Sequence, residues 1–196
     1  ILDRGVYDAH GEEVEPETPL QVGKLPAGYP RNRLGLTQWL LSEENPLFAR
    51  VMANRLWQNY FGNGLVKTQE DFGNQGELPS HPELLDWLAA QYREEQWNTK
   101  AFIKRMVMSA TYQQSSKATA AQIEADPDNK WLARGSSYRF SAEQVRDNAL
   151  AASGLLVKKI GGPSVYPYQP AGIWEALATR NVTNYLEQLG DSLFRR

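Results

Sequence analysis

His81 is one of only two histidines in the chain, and its setting makes it the side chain best suited to general-base work. It stands in Glu77-Leu-Pro-Ser-His-Pro-Glu83, behind a glycine-rich turn at Phe72-Gly-Asn-Gln-Gly76. Asp71 and Glu77 would supply carboxylates beside it. A helix N-terminus disfavours imidazolium, so a neutral histidine base there is physically sound. A plainer reading competes. Ser80-x-x-Glu83 has the spacing of a capping box, with Pro82 tolerated in the first turn and His81 at the first helical position, bonding a nearby carbonyl. Asp71-Phe-Gly73 invites comparison with kinases, but no phosphate-cradling glycine loop or catalytic His-Arg-Asp precedes it. Asp71, Asn74 and Glu77 match no established calcium loop. A turn in which Asp71 accepts backbone N–H groups is the simpler account, and no metal site is expected.

Arg50, Asn54 and Arg55 interrupt an otherwise apolar helical pattern. Arg50 and Asn54 are four apart and share a face, whereas Arg55 lies on another. A guanidinium within a domain needs a partner, and Asp71, Asp86 and Asp147 are available. The functional alternative is a clamp for an anion or carboxylate. Arg146-Asp147 poses the same choice. Ser153 has no histidine near it in sequence from which to build a hydrolase triad, since His10 lies far upstream. Tyr166, Tyr168 and Trp174 lie in or beside a proline-rich loop that is hard to bury, and form a candidate contact surface for sugar. Trp39, Trp57, Trp87 and Trp131 lie on or beside apolar helical faces and are expected in the core.

Helices must position these groups. Leu34, Leu36, Trp39, Leu40 and Leu41 suggest a short apolar face. Asn45-Pro46 then reads as an N-cap with proline at the first helical position. Phe48, Val51, Met52, Leu56, Trp57 and Tyr60 recur at helical spacing up to Gly62-Asn-Gly64, a left-handed C-terminal cap. Leu84, Leu85, Leu88 and Tyr92 mark the next helix; Trp97-Asn-Thr99 breaks and restarts the chain; Phe102, Ile103, Met106 and Val107 mark another. Residues 114–128 are small and polar and close on the turn Asp126-Pro-Asp-Asn129. Ser141-Ala-Glu-Gln144 is a second capping box, opening a helix that runs to about Gly154. Residues 161–172 read as loop, followed by a short helix from Trp174 to Ala178.

Residues 1–30 differ. Ile1, Leu2, Val6 and Tyr7 suit a short strand, and the prolines and glycines after them suit an extended arm or linker from a preceding domain. Residues 31–196 form the helical domain. The expected class is therefore mainly α: an irregular multi-helix domain with long loops and an extended N-terminal arm.

Composition narrows the function classes. Lys and Arg total 21 against 23 Asp and Glu, so charge gives no case for nucleic acid. The absence of cysteine excludes thiolate metal sites, disulfides and covalent haem attachment to this chain. No apolar run is long enough to span a membrane.

One set of motifs reaches beyond composition. It comprises Asn45-Pro-Leu-Phe-Ala-Arg-Val51, Asn54-Arg-Leu-Trp57, Phe61-Gly-Asn-Gly-Leu-Val66, Pro79-Ser-His-Pro-Glu-Leu-Leu-Asp-Trp-Leu88, Ser109-Ala-Thr-Tyr112 and Gly161-Gly-Pro163, in that order. The chain thereby resembles, from about Arg4 to Arg196, the planctomycete-specific domain of unknown function family 1553. The resemblance implies an exported, periplasmic or secreted protein, with a cytochrome c-type, haem-bearing domain elsewhere in the polypeptide and no cofactor in this one. It also implies that the domain continues beyond Arg196. It brings no activity. Three functions follow as expectations: a structural or interaction module docking on other domains of its own polypeptide, an enzyme acting on polysaccharide around the 71–81 loop, and a carbohydrate-binding module. The enzyme requires His81, Asp71 or Glu77, and an arginine to meet in one open pocket.

Overall fold

The computed structural model describes residues 3–177 and 185–196. The chain is mainly helical and forms two compact units, residues 1–137 and 138–196. The first holds α1 (Arg33–Leu41), α2 (Phe48–Phe61), α3 (Pro82–Glu94), α4 (Thr99–Val107) and α5 (Ala120–Ala125). The second holds α6 (Ala142–Ala152), α7 (Ile173–Leu177) and a terminal 3-10 turn (Gly190–Phe194). A short 3-10 turn, Asp3–Gly5, stands where a strand was expected, and Ile1 and Leu2 lie outside the described residues.

The core of the first unit follows from helical periodicity. Ala53, Trp57 and Phe61 of α2, Leu85, Leu88 and Tyr92 of α3, and Phe102 and Met106 of α4 are buried together. α2 and α3 form the main packing pair, with α4 against both and α1 against α2. Two tryptophans depart from expectation. Trp87 is 47% exposed, because the α3 stripe runs through Leu85, Leu88, Ala89 and Tyr92 and leaves position 87 beside it. Trp131 is 66% exposed, in the loop after Asp126. Cations sit over both rings, Arg105 at 5.7 Å and Lys130 at 5.8 Å from the ring centroids. α1 buries only Gly35 and Trp39, one i,i+4 edge, so Leu34, Leu36 and Leu41 stay exposed.

Capping explains where the helices start and stop. Helix α2 starts two residues later than the Asn45-Pro46 signal places it, with Leu47 at the N-cap and Phe48 first in the helix; Asn45 accepts from Leu47 N (3.0 Å) and Phe48 N (2.8 Å), tying the Asn-Pro turn to α2. Gly62, at φ 84°, donates to Gln58 O and closes α2. Asn98 caps α4 through Ala101 N. The Ser141–Gln144 capping box is complete. A second complete box at Thr119 and Gln122 opens α5 inside the small, polar stretch 114–128, where no helix was expected.

The Ser80–Glu83 box does not form. His81 is itself the N-cap of α3, Pro82 is the first helical residue, and no side chain caps the start. The Ser80 hydroxyl lies 3.0 Å from His81 Nδ1 and its N–H donates to Leu65 O. With proline next to the cap, the chain enters α3 from a backbone anchor on Leu65 that holds the serine away from the first turn.

Residues 6–30 are irregular, yet they close on themselves. Glu17 accepts from Thr18 N and Leu25 N, both at 3.0 Å, and pairs with Arg31. Thr18 and Leu25 are buried by this closure.

Candidate functional site

Asn54 has a fully buried side chain whose carboxamide meets one backbone residue twice. Its Nδ2 donates to Val66 O and its Oδ1 accepts from Val66 N, both at 2.9 Å. An amide copies the pairing of a neighbouring strand and so satisfies an otherwise orphaned buried segment. Gly64 is required beside it, because a Cβ there would lie 2.5 Å from Val66 O and 2.8 Å from the Asn54 amide.

The next turn hangs from this anchor. Asp71 Oδ1 accepts from Gly73 N at 2.7 Å, and Thr68 Oγ1 donates to Asp71 O and accepts from Glu77 N, both at 2.9 Å. A Cβ on Gly76 would stand 2.0 Å from Asp71 O, which only glycine tolerates. Asp71 thus orders the turn, as its type suggests. Among the described residues, no group of three or more His, Asp or Glu is placed to hold a metal ion.

Arg50 donates from Nε to Asp86 at 2.6 Å and from Nη1 to Pro46 O, so its guanidinium joins the Asn-Pro turn and α3 to α2. This hydrogen bond is the main reason the Asp86 carboxyl titrates below its ordinary range. Arg93 donates to Glu43 O across the same space, a cavity of about 270 Å³. Asp86, Glu43 and Glu44 line it with the two arginines, so its carboxylates outnumber its guanidiniums and its charge does not favour an anion. Arg55 is exposed and faces elsewhere.

A second cavity, about 210 Å³, lies between the end of α2, the segment before α3 and the 128–132 loop. Trp57 and Phe61, stacked at 3.7 Å with planes 4° apart, stand behind it. Glu77 and Ser80 reach its wall. His81 and Asp71 line neither cavity, and no arginine lines this one. Neither of these two cavities brings together the groups an enzyme would need. The wall that sequence reasoning missed is the 128–132 loop. Asp126 holds it by accepting from Lys130 N (2.7 Å) and Trp131 N (2.9 Å), and Lys67 donates to Asp128 at 2.8 Å. That ion pair lowers the Asp128 pKa and raises that of Lys67. The turn signal Asp-Pro-Asp-Asn was visible, but not that it would fold back over α2.

In the second unit Arg146 grips backbone, donating to Arg195 O at 2.9 Å and to Leu193 O, while Asp147 pairs with Arg196 at 3.0 Å. The Arg146-Asp147 pair therefore fastens residues 193–196. Ser153 donates to Leu150 O at the end of α6. Trp174 stacks on Tyr185 (5.3 Å, 10°), and Tyr166 meets the same ring edge-on at 5.7 Å. Tyr168 stays 69% exposed. Tyr185, which organises this set, carried no signal in sequence beyond being aromatic.

The family model for PSD1, a protein of unknown function (DUF1553), matches residues 32–196. No curated protein and no solved structure matches the chain.

Proposed function

We propose that this chain, which belongs to the PSD1 family of proteins of unknown function (DUF1553), is an interaction module that docks on other domains of a larger exported polypeptide. One observation carries the reading. Among the described residues of 138–196 none is buried, while Ile160, Leu186 and Leu189 are almost wholly exposed. Helix α6 is well capped but buries nothing. Apolar side chains of this kind gain stability only against a partner surface. The chemistry-bearing residues of the first unit fit the same reading, since Asn54, Asp71, Arg50 and Asp126 each hold a loop in place. The motif resemblance suggests a haem-bearing, cytochrome-like or a carbohydrate-binding domain as the docked neighbour, outside the cytoplasm. No helix among the described residues is long and apolar enough to cross a membrane.

Amide hydrogen exchange tests the proposal. Residues 142–152 are expected to exchange fast in the 196-residue chain and to gain protection in the longer protein that carries it. Equal exchange in both overturns it.

A further inference from the structure

The 270 Å³ cavity beside the Asn-Pro turn has a floor and a rim of different kinds. Asn45, Ala49 and Ala89 form the floor, each no more than 5% exposed. Two alanines, one from α2 and one from α3, are too short to fill the gap below the turn. Glu43, Glu44 and Asp86 are exposed at the rim, with half-buried Arg50 and Arg93 between them. The space is that of roughly nine waters, enough for one or two small amino-acid residues.

Asn45 supplies the observation that asks for a ligand. The residue is 3% exposed, and its Oδ1 is committed to Leu47 N and Phe48 N. Two N–H donors fix which end of the amide is oxygen, so Nδ2 is the free end. That group finds no acceptor among the described residues, yet it is not sealed from solvent as Gln58 Oε1 or Asn129 Oδ1 is. What little of Asn45 is open borders the cavity, so a nearly buried donor stands there unpaired.

The charges around it define its complement. Arg50 is spent on Asp86 and Pro46 O, and Arg93 donates one N–H to Glu43 O. Glu43 and Glu44 make no ion pair among the described residues, so two carboxylates face Arg93 alone. The lining therefore favours a cation over an anion. A metal ion does not suit it, because Asn45 turns a donor, not its oxygen, to the cavity. The fitting ligand carries cationic donors for the carboxylates and an acceptor for the amide.

We infer that this cavity binds a primary ammonium group with a carbonyl oxygen beside it, the chemistry shared by the amino-terminus of a peptide and a free amino acid. The ammonium donates to the rim carboxylates, and the carbonyl accepts from Asn45 Nδ2 and Arg93. The excess of carboxylates favours the peptide terminus, which brings no carboxylate of its own at that end. The site is independent of the docking reading, which rests on residues 138–196.

The ligands for the test are glycinamide, triglycine and glycine, titrated into the 196-residue chain and followed by amide chemical shifts. Methylammonium, which lacks the carbonyl, and N-acetylglycinamide, which lacks the ammonium, are the controls. Glycinamide is expected to give saturable shifts confined to residues 43–50 and 86–93, with both controls about tenfold weaker. Triglycine tighter than glycine assigns the source to a peptide terminus, and the reverse order to a free amino acid. Asn45→Asp keeps the oxygen that accepts from Leu47 N and Phe48 N but replaces the free donor with an acceptor. It is expected to weaken glycinamide about tenfold and not to weaken methylammonium. Glu43→Gln combined with Glu44→Gln, at two exposed positions, is expected to weaken glycinamide several-fold without altering the fold. No saturable shift from glycinamide overturns the site. So do controls that bind as tightly, shifts outside the two segments, or wild-type affinity in both variants. If Asn45→Asp fails to fold, wild-type affinity in the double glutamine variant overturns it alone.

Discussion

Asn54 shows how much one side chain decides in this molecule. Removing its carboxamide strands both the N–H and the C=O of Val66 in the core. Each orphaned group costs about 1–3 kcal/mol, so Asn54→Ala is expected to lose about 3 kcal/mol in urea unfolding. Its neighbour Arg55 is exposed, and Arg55→Ala is expected to change stability by less than about 0.5 kcal/mol. Arg50 lies between these cases. Its ion pair with Asp86 is largely solvated, so Asp86→Asn is expected to cost no more than about 1 kcal/mol in the same assay. The contrast follows burial: the neutral amide outweighs the charged pair because water cannot replace its partners.

At the scale of elements, capping separates two serines that look alike in sequence. Ser141 accepts from Gln144 N and opens α6, so Ser141→Ala is expected to cost that helix about 1 kcal/mol, read as loss of the helical Cα chemical shifts of α6. Ser80 caps nothing, and Ser80→Ala is expected to leave α3 protection unchanged. The loop preceding α1 offers a pH test. The Arg31 hydrogen bond, helped by the Thr18 and Leu25 N–H groups, lowers the Glu17 pKa from 4.5 to about 2. A carboxyl depressed on folding adds stability above its unfolded pKa and loses it as pH falls through the folded one. The Leu25 and Thr18 amide shifts are therefore expected to hold steady through pH 4.5 and to titrate near pH 2. Arg31→Ala is expected to move that midpoint upward.

The whole molecule divides by burial. The first unit contains every buried residue among the described ones, from Thr18 to Gly135, and the second contains none. Exchange from α2, α3 and α4 is accordingly expected to be slowest, and Phe102→Ala, at a fully buried position, to cost about 3–5 kcal/mol and unfold the first unit as a block. Much of this was legible beforehand, because periodicity and caps are local. The Gly62 stop, the Trp97 break and the Ser141 box stand where residue types place them, whereas the buried face of α2 runs through Ala49, Ala53, Asn54, Trp57 and Phe61 and leaves Phe48, Val51, Met52, Leu56 and Tyr60 only half-buried. The sequence by itself thus determined that the chain is helical, where most helices begin and end, and, through its ordered motifs, the family to which residues 32–196 belong. Only tertiary structure decided which of several available partners each polar group met. It matched Asn54 with Val66 and Arg50 with Asp86, turned Trp87 outward, held Ser80 on Leu65, and folded the 128–132 loop over the end of α2. Those choices depend on distances between segments remote in the chain, which burial and loop closure set together.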